Sequence, residues 1–177
     1  REMLKELNES QIKCFLVHGN HDPLSGWEPE ITLPQGIFRF PGDKVNLIPF
    51  TKNSQEIAHI YGISFQEKAN MNNLTKLFQK SSKEVFSIGV LHCNVGGLPK
   101  HDNYAPCSIE DLVNTGLDYW ALGHIHTPIV IRKHHPVILY SGNTQGRNIN
   151  ENGPRGCYLV QVYENQDVEF DFYPTDV

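Results

Sequence analysis

Five of the nine histidines fall in three short segments: "HGNHD" (residues 18–22), "LHCN" (residues 91–94) and "GHIH" (residues 123–126). A turn needs glycine, asparagine or proline, but it does not need imidazoles. Imidazole nitrogens and a carboxamide oxygen are the donors that manganese, iron, zinc and related cations take. In "GHIH" the two histidines are two positions apart, so both can face the same side of an extended segment. If the three segments meet, Asn20, His21, His92, His124 and His126 share one cleft. Each residue alone has a plainer reading. Asn20 can be a turn former, His92 a structural histidine, and "GHIH" a turn with polar tips.

Positioning these residues requires strands. Residues 11–17 read as a buried strand running into the Gly-Asn turn, "VFSIGVLH" (residues 85–92) as an apolar strand ending on His92, and residues 117–122 as a third that runs into Gly123 and His124. In α/β folds, ligands gather beyond the carboxyl ends of such strands. Gly19 and Gly123 are expected to let the chain turn sharply there. Around these lie residues 1–10, with apolar positions at helical spacing, and the β-rich pieces "GIFRF", "KVNLIPF" and "IAHIYGISF". Residues 70–80 are expected to form an amphipathic helix through Met71, Leu74, Leu77 and Phe78. Ser108 reads as the N-cap of a short helix whose first turn holds Glu110 and Asp111. "PIVIRK", "PVILYSG", "GCYLVQVY" and "DVEFDFYP" read as successive strands, with residues 164–167 turning the last pair into a hairpin. Alternation early and an antiparallel run late predict a layered α/β sandwich.

Composition narrows the field. The 177 residues suit one domain with a real core. No apolar run approaches the roughly 20 residues that span a bilayer, so no membrane partner is expected and a cytoplasmic location is. The net charge of -5 gives no global attraction to nucleic acid, although bound cations can supply one locally. Cys14, Cys93, Cys107 and Cys157 form no C-x-x-C pair and read as free thiols. Trp27 and Trp120 are expected to be core or cleft-wall aromatics, and His134 and His135 an exposed turn. His18 reads as the end of its strand. Arg147 is a candidate phosphate contact, because guanidinium matches phosphate geometry; a surface ion pair is its plainer reading.

"GNHD", a strand-end histidine and "GHIH", in that order, resemble the second half of the calcineurin-like metallophosphoesterases. "DYWALGHIHTP", "YSGNTQGRN" and "GPRGCYLVQV" are similar, more narrowly, to the SbcD-type DNA repair exonucleases near their YhaO-like branch. The resemblance implies a layered αββα sandwich with mixed sheets, a single nuclease domain over residues 1–177, and a two-metal centre that hydrolyses phosphodiester bonds. Asn20, His92 and His124 would bind one metal and His126 the other. Manganese is the expected ion, with iron or zinc as alternatives. His21 would protonate the leaving oxygen, with Asp22 orienting it. The loop of His101, Asp102, Asn103 and Tyr104 would form the rim of the cleft.

DNA, an SMC-like ATPase and a second copy of the chain are the partners the resemblance implies. The family's Asp-x-His and Gly-Asp motifs do not precede Phe15, so the domain is expected to be truncated at its N-terminus. By itself the chain would then hold at most one metal weakly and be inactive. Two other functions fit the same motifs: a phosphatase or cyclic-nucleotide phosphodiesterase, and a catalytically silent scaffold for the ATPase.

Overall fold

The computed structural model describes residues 2–26, 32–97, 102–147, 149 and 151–175; Trp27 and His101 lie outside the described residues. The chain begins with α1 (Glu2–Glu9) and β1 (Cys14–Leu16), followed by β2 (Ile37–Arg39), β3 (Asn46–Lys52) and β4 (Gln55–Ile63). A 3-10 turn (Leu74–Leu77) leads to β5 (Phe86–His92), β6 (Asn94–Val95), β7 (Pro106–Cys107) and α2 (Ile109–Asn114). The remainder is strand: β8 (Tyr119–Gly123), β9 (Ile129–Arg132), β10 (Val137–Tyr140), β11 (Gly156–Val162) and β12 (Val168–Pro174).

Six strands form the central sheet in the order β3-β4-β5-β8-β10-β9. The inner pairs β4/β5, β5/β8 and β8/β10 are parallel, and both edge strands are antiparallel to their neighbours. Inner parallel strands are covered on both faces, which is why β5, β8 and β10 are nearly continuous apolar runs. On one face, Phe65, Leu91, Trp120 and Tyr140 pack with Leu112 of α2 and with Leu74 and Phe78 around the 3-10 turn. Tyr158, Val160, Val168 and Phe170 of the β11/β12 hairpin cover part of the opposite face over Tyr119, Val137 and Leu139. The parallel pair β1/β2 covers another part through Phe15 and Phe40. The architecture is mixed α/β, a helical layer on a sheet with further β-structure behind it.

Two elements differ from the sequence reading. Residues 70–80 form one 3-10 turn rather than an amphipathic helix; Leu74 and Phe78 are buried, but Met71 and Leu77 are exposed. The asparagines explain it. Asn70 Oδ1 accepts from Asn72 N–H at 3.0 Å and Asn73 Oδ1 from Thr75 N–H at 3.1 Å, taking backbone donors into local turns. The first strand is short and only half-buried, because β1 has one described neighbour, β2. At α2, Ser108 makes the capping box with Asp111, and the two hydrogen bonds to Ser108 hold the Asp111 carboxyl below its ordinary range.

Candidate metal centre

The register of β5 against β8 builds the site. His92 lies opposite Gly123, so both strands end at one level and deliver His92 and His124 to the same place. His92 Nε2 is 2.8 Å from Asn20 Oδ1 and 3.2 Å from His124 Nδ1. The rings of His92 and His124 meet at 69° with centroids 5.0 Å apart, and Phe65 closes the other side of His92 at 5.2 Å. Asn20 is 4% exposed, so its amide is a built part of the floor.

The tautomer of His124 follows from its neighbours. Its Nε2 lies 2.8 Å from the carbonyl of Asp102, an acceptor, so Nε2 carries the proton and Nδ1 the lone pair. That lone pair and the Asn20 oxygen both point at His92 Nε2. A single proton on His92, or a cation in its place, reconciles the three. Two nitrogens bound to one cation at about 2.0–2.1 Å stand roughly 2.9–3.4 Å apart, and the two imidazoles already have that spacing. Burial above all, and repulsion from His124, His21 and His126 whenever those rings are protonated, push the His92 pKa from 6.5 down to about 3, so its ring stays neutral. Among the described residues no three His, Cys, Asp or Glu side chains group as a metal cage. The third donor here is the Asn20 amide, and the set fits a cation as a neutral two-imidazole, one-amide triad.

His124 adopts φ 104°, a backbone conformation that side-chain-bearing residues avoid. Such strain costs on the order of 1–3 kcal/mol and persists where surrounding structure imposes it. The glycines do something other than the expected sharp turning. Neither Gly19 nor Gly123 has positive φ. Gly19 instead makes room: a Cβ there would stand 2.4 Å from His92 Cε1 and Nδ1.

His126 stands on the same loop, but its direct partner is Glu151, whose Oε1 is 2.8 Å from His126 Nδ1. His21 is exposed and close enough to His92 to act on its charge. Asp22 does not orient His21. Its Oδ1 accepts from Gly19 N–H at 2.9 Å, and its Oδ2 lies 3.4 Å from His18 Nδ1, because the tight Gly-Asn-His turn returns the carboxylate to its own start. Arg147 is exposed at the rim, anchored through its backbone N–H to Glu151 Oε2 at 2.9 Å. Tyr104 reaches His124 with ring centroids 6.2 Å apart. His135, far from this site, pairs with Asp118 at 2.8 Å.

Sequence reading missed Glu151 and the Asp102 carbonyl. Neither belongs to a motif, and a backbone carbonyl leaves no mark on residue type. The acid 25 residues after His126 had no periodicity to place it.

This fold, with strand-end histidines facing one another across β5 and β8, is a metallophosphoesterase domain. The chain belongs to the calcineurin-like phosphoesterase family, whose profile matches residues 1–128; divalent metal ions are that family's cofactors. It is 40% identical over 173 residues to "Uncharacterized metallophosphoesterase YhaO" of Bacillus subtilis, covering 97% of this chain and 42% of that protein. It is 29% identical over 180 residues to "DNA double-strand break repair protein Mre11" of Methanocaldococcus jannaschii, covering 93% of this chain and 46% of that one. The chain thus spans less than half the length of both relatives. Among the described residues, no helix is long and apolar enough to cross a membrane.

Proposed function

We propose that this domain belongs to a divalent-metal-dependent phosphodiester hydrolase that cuts DNA, with Asn20, His92 and His124 holding one cation and His126 contributing to a second. The observation that carries this reading is the convergence of Asn20 Oδ1, His92 Nε2 and His124 Nδ1. When bound, divalent cations neutralise phosphate charge and supply hydroxide near neutral pH. Manganese is our assignment from the family resemblance and suits the amide oxygen, with iron or zinc, which imidazoles take readily, as the alternatives.

The chain's own residues divide the remaining work. His92 is kept neutral, and its Nε2 would offer a cation a lone pair once the ring's single proton sits on Nδ1. Asp102 holds His124 by its Nε2–H, leaving Nδ1 for the site. Phe65 lies against the His92 ring and limits water on that side. His21 stands exposed at the mouth, where it can hand a proton to a departing oxygen. Arg147, at the rim, offers a guanidinium to a phosphate. The similarity to a protein named for DNA double-strand break repair supports DNA as substrate, and the neutral donor set supports it chemically. None of the three ligands cancels cation charge, so the charge remains available to the backbone phosphates.

The test uses this chain joined to a segment bearing the family's Asp-x-His and Gly-Asp motifs. With manganese it should degrade linear double-stranded DNA in preference to p-nitrophenyl phosphate. Hydrolysis of the small ester without DNA cleavage would replace the nuclease reading with a phosphatase. A metal-loaded protein inert toward both would favour a scaffold.

A further inference from the structure

We propose that Glu151 is the positioning residue for His126: its carboxylate holds the proton on Nδ1 and so leaves Nε2 as the ring's ligating atom. The inference rests on the metal reading above for its consequence, but not for its geometry.

A carboxylate only accepts hydrogen bonds, and a neutral imidazole has one N–H. Glu151 Oε1 stands 2.8 Å from His126 Nδ1, so the shared proton sits on Nδ1 and the Nε2 lone pair is free to bind. The carboxylate is itself held. Its Oε2 accepts from Asn143 Nδ2 and from Arg147 N–H, both at 2.9 Å.

The same loop grips the His126 backbone. The His126 carbonyl accepts from Asn143 N–H at 3.1 Å and from the guanidinium of Arg155, which is 8% exposed. Gly142, at φ 74°, passes so close that a Cβ would stand 2.7 Å from the His126 carbonyl oxygen. Ring and backbone of one histidine are thus both fixed by a loop arriving from β10.

The two histidines of "GHIH" then differ in a definite way. His124 is held by its Nε2–H on Asp102 and offers Nδ1; His126 is held by its Nδ1–H on Glu151 and offers Nε2. Opposite ring nitrogens let two side chains two residues apart serve different cations.

Glu151→Gln is a sharp test because it is isosteric. The amide has one oxygen, and Asn143 and Arg147 supply two donors on the Oε2 side. The Gln oxygen therefore takes that side, and its NH2 faces His126. A donor there reverses the tautomer, putting the proton on Nε2 and blocking the ligating lone pair.

The readout is nitrogen NMR of the histidine rings in the metal-free 177-residue chain, with Zn2+ titrations of the chain joined to the family's upstream motifs, where the second cation can bind, alongside. The expected result is a protonated Nδ1 on His126 in the wild type and a protonated Nε2 in E151Q, with His124 unchanged. Zn2+ affinity should fall about 10–100-fold in E151Q, as for other residues that orient a ligating histidine. It should not fall further when E151Q is added to His126→Ala. A wild-type His126 protonated on Nε2 would overturn the proposal without any variant. So would an unchanged His126 tautomer in E151Q, or an equal affinity loss in the His126→Ala background. A wild type that binds no Zn2+ would instead remove the metal reading, while the tautomers still decide the role of Glu151.

Discussion

Gly19 lies flat beneath the ring of His92, leaving 2.4 Å where a methyl group would need ordinary contact distance. His92 and the "GNHD" turn are therefore one packed unit. Gly19→Ala must push the ring away from Asn20 Oδ1, breaking the 2.8 Å contact. Overpacking of this kind costs about 1–3 kcal/mol. The expected outcome is a folded chain with lower thermal stability and Mn2+ affinity reduced nearly to that of His92→Ala. Unchanged Mn2+ binding, measured by calorimetry, would show that His92 can ligate from elsewhere.

His21 and His124 should separate chemistry from occupancy. In the chain complemented with the family's upstream motifs, His21→Ala should leave Mn2+ content intact and slow DNA hydrolysis by on the order of 10²–10⁴, the usual loss for a general acid. His124→Ala should lower metal content itself. Elemental analysis beside rate measurements distinguishes them, and a His21 variant that loses metal but regains full turnover with added Mn2+ would reverse the two roles.

Acid should destabilise the fold through His92 before it does so through Glu151. His92 has a pKa of about 3 when folded against 6.5 ordinarily, so the unfolded chain takes up the proton first. Stability contributed by its neutral form is full above 6.5 and is lost as pH falls toward 3, at up to about 1.4 kcal/mol per pH unit. Glu151 is pulled from 4.5 to about 2 by hydrogen bonds from Arg147, His126 and Asn143, so its contribution is lost only between those lower values. Denaturant titrations at pH 6.5, 5.5 and 4.5 should show a loss that His92→Gln flattens. An identical slope in that variant would contradict the burial of a neutral His92.

Asp118 should govern stability from the opposite ends of the strands. It is 2% exposed and takes Lys80 Nζ on both oxygens at 2.8 and 2.6 Å, Ser87 N–H at 2.7 Å and His135 Nε2 at 2.8 Å. Asp118→Ala leaves Lys80 largely buried without its carboxylate, a loss of about 3–5 kcal/mol for such pairs. The melting temperature should fall sharply, while Mn2+ affinity of the protein that remains folded stays near wild type. Loss of metal affinity without loss of stability would mean the two ends of β5 and β8 are coupled.

Much of this protein is legible along the chain because it depends on near neighbours. Apolar runs ending in Gly19, His92 and Gly123 mark strands whose carboxyl ends carry polar loops, and Ser108 with Asp111 marks a helix start. Those patterns record which backbone groups and side chains must be buried. They do not record which strand lies beside which. The pairing of His92 with Gly123 is a register, set by packing across the whole sheet, and it alone turns separate histidines into a triad with Asn20. Asp22 shows the same limit: its residue type suggested a partner for His21, but a tight turn gave it to Gly19 and His18. Glu151 meets His126 only because Arg155 and Gly142 fold a long loop back over β8 and β10. Strand identity is a local consequence of residue order, whereas ligand sets and tautomers are consequences of long-range contact.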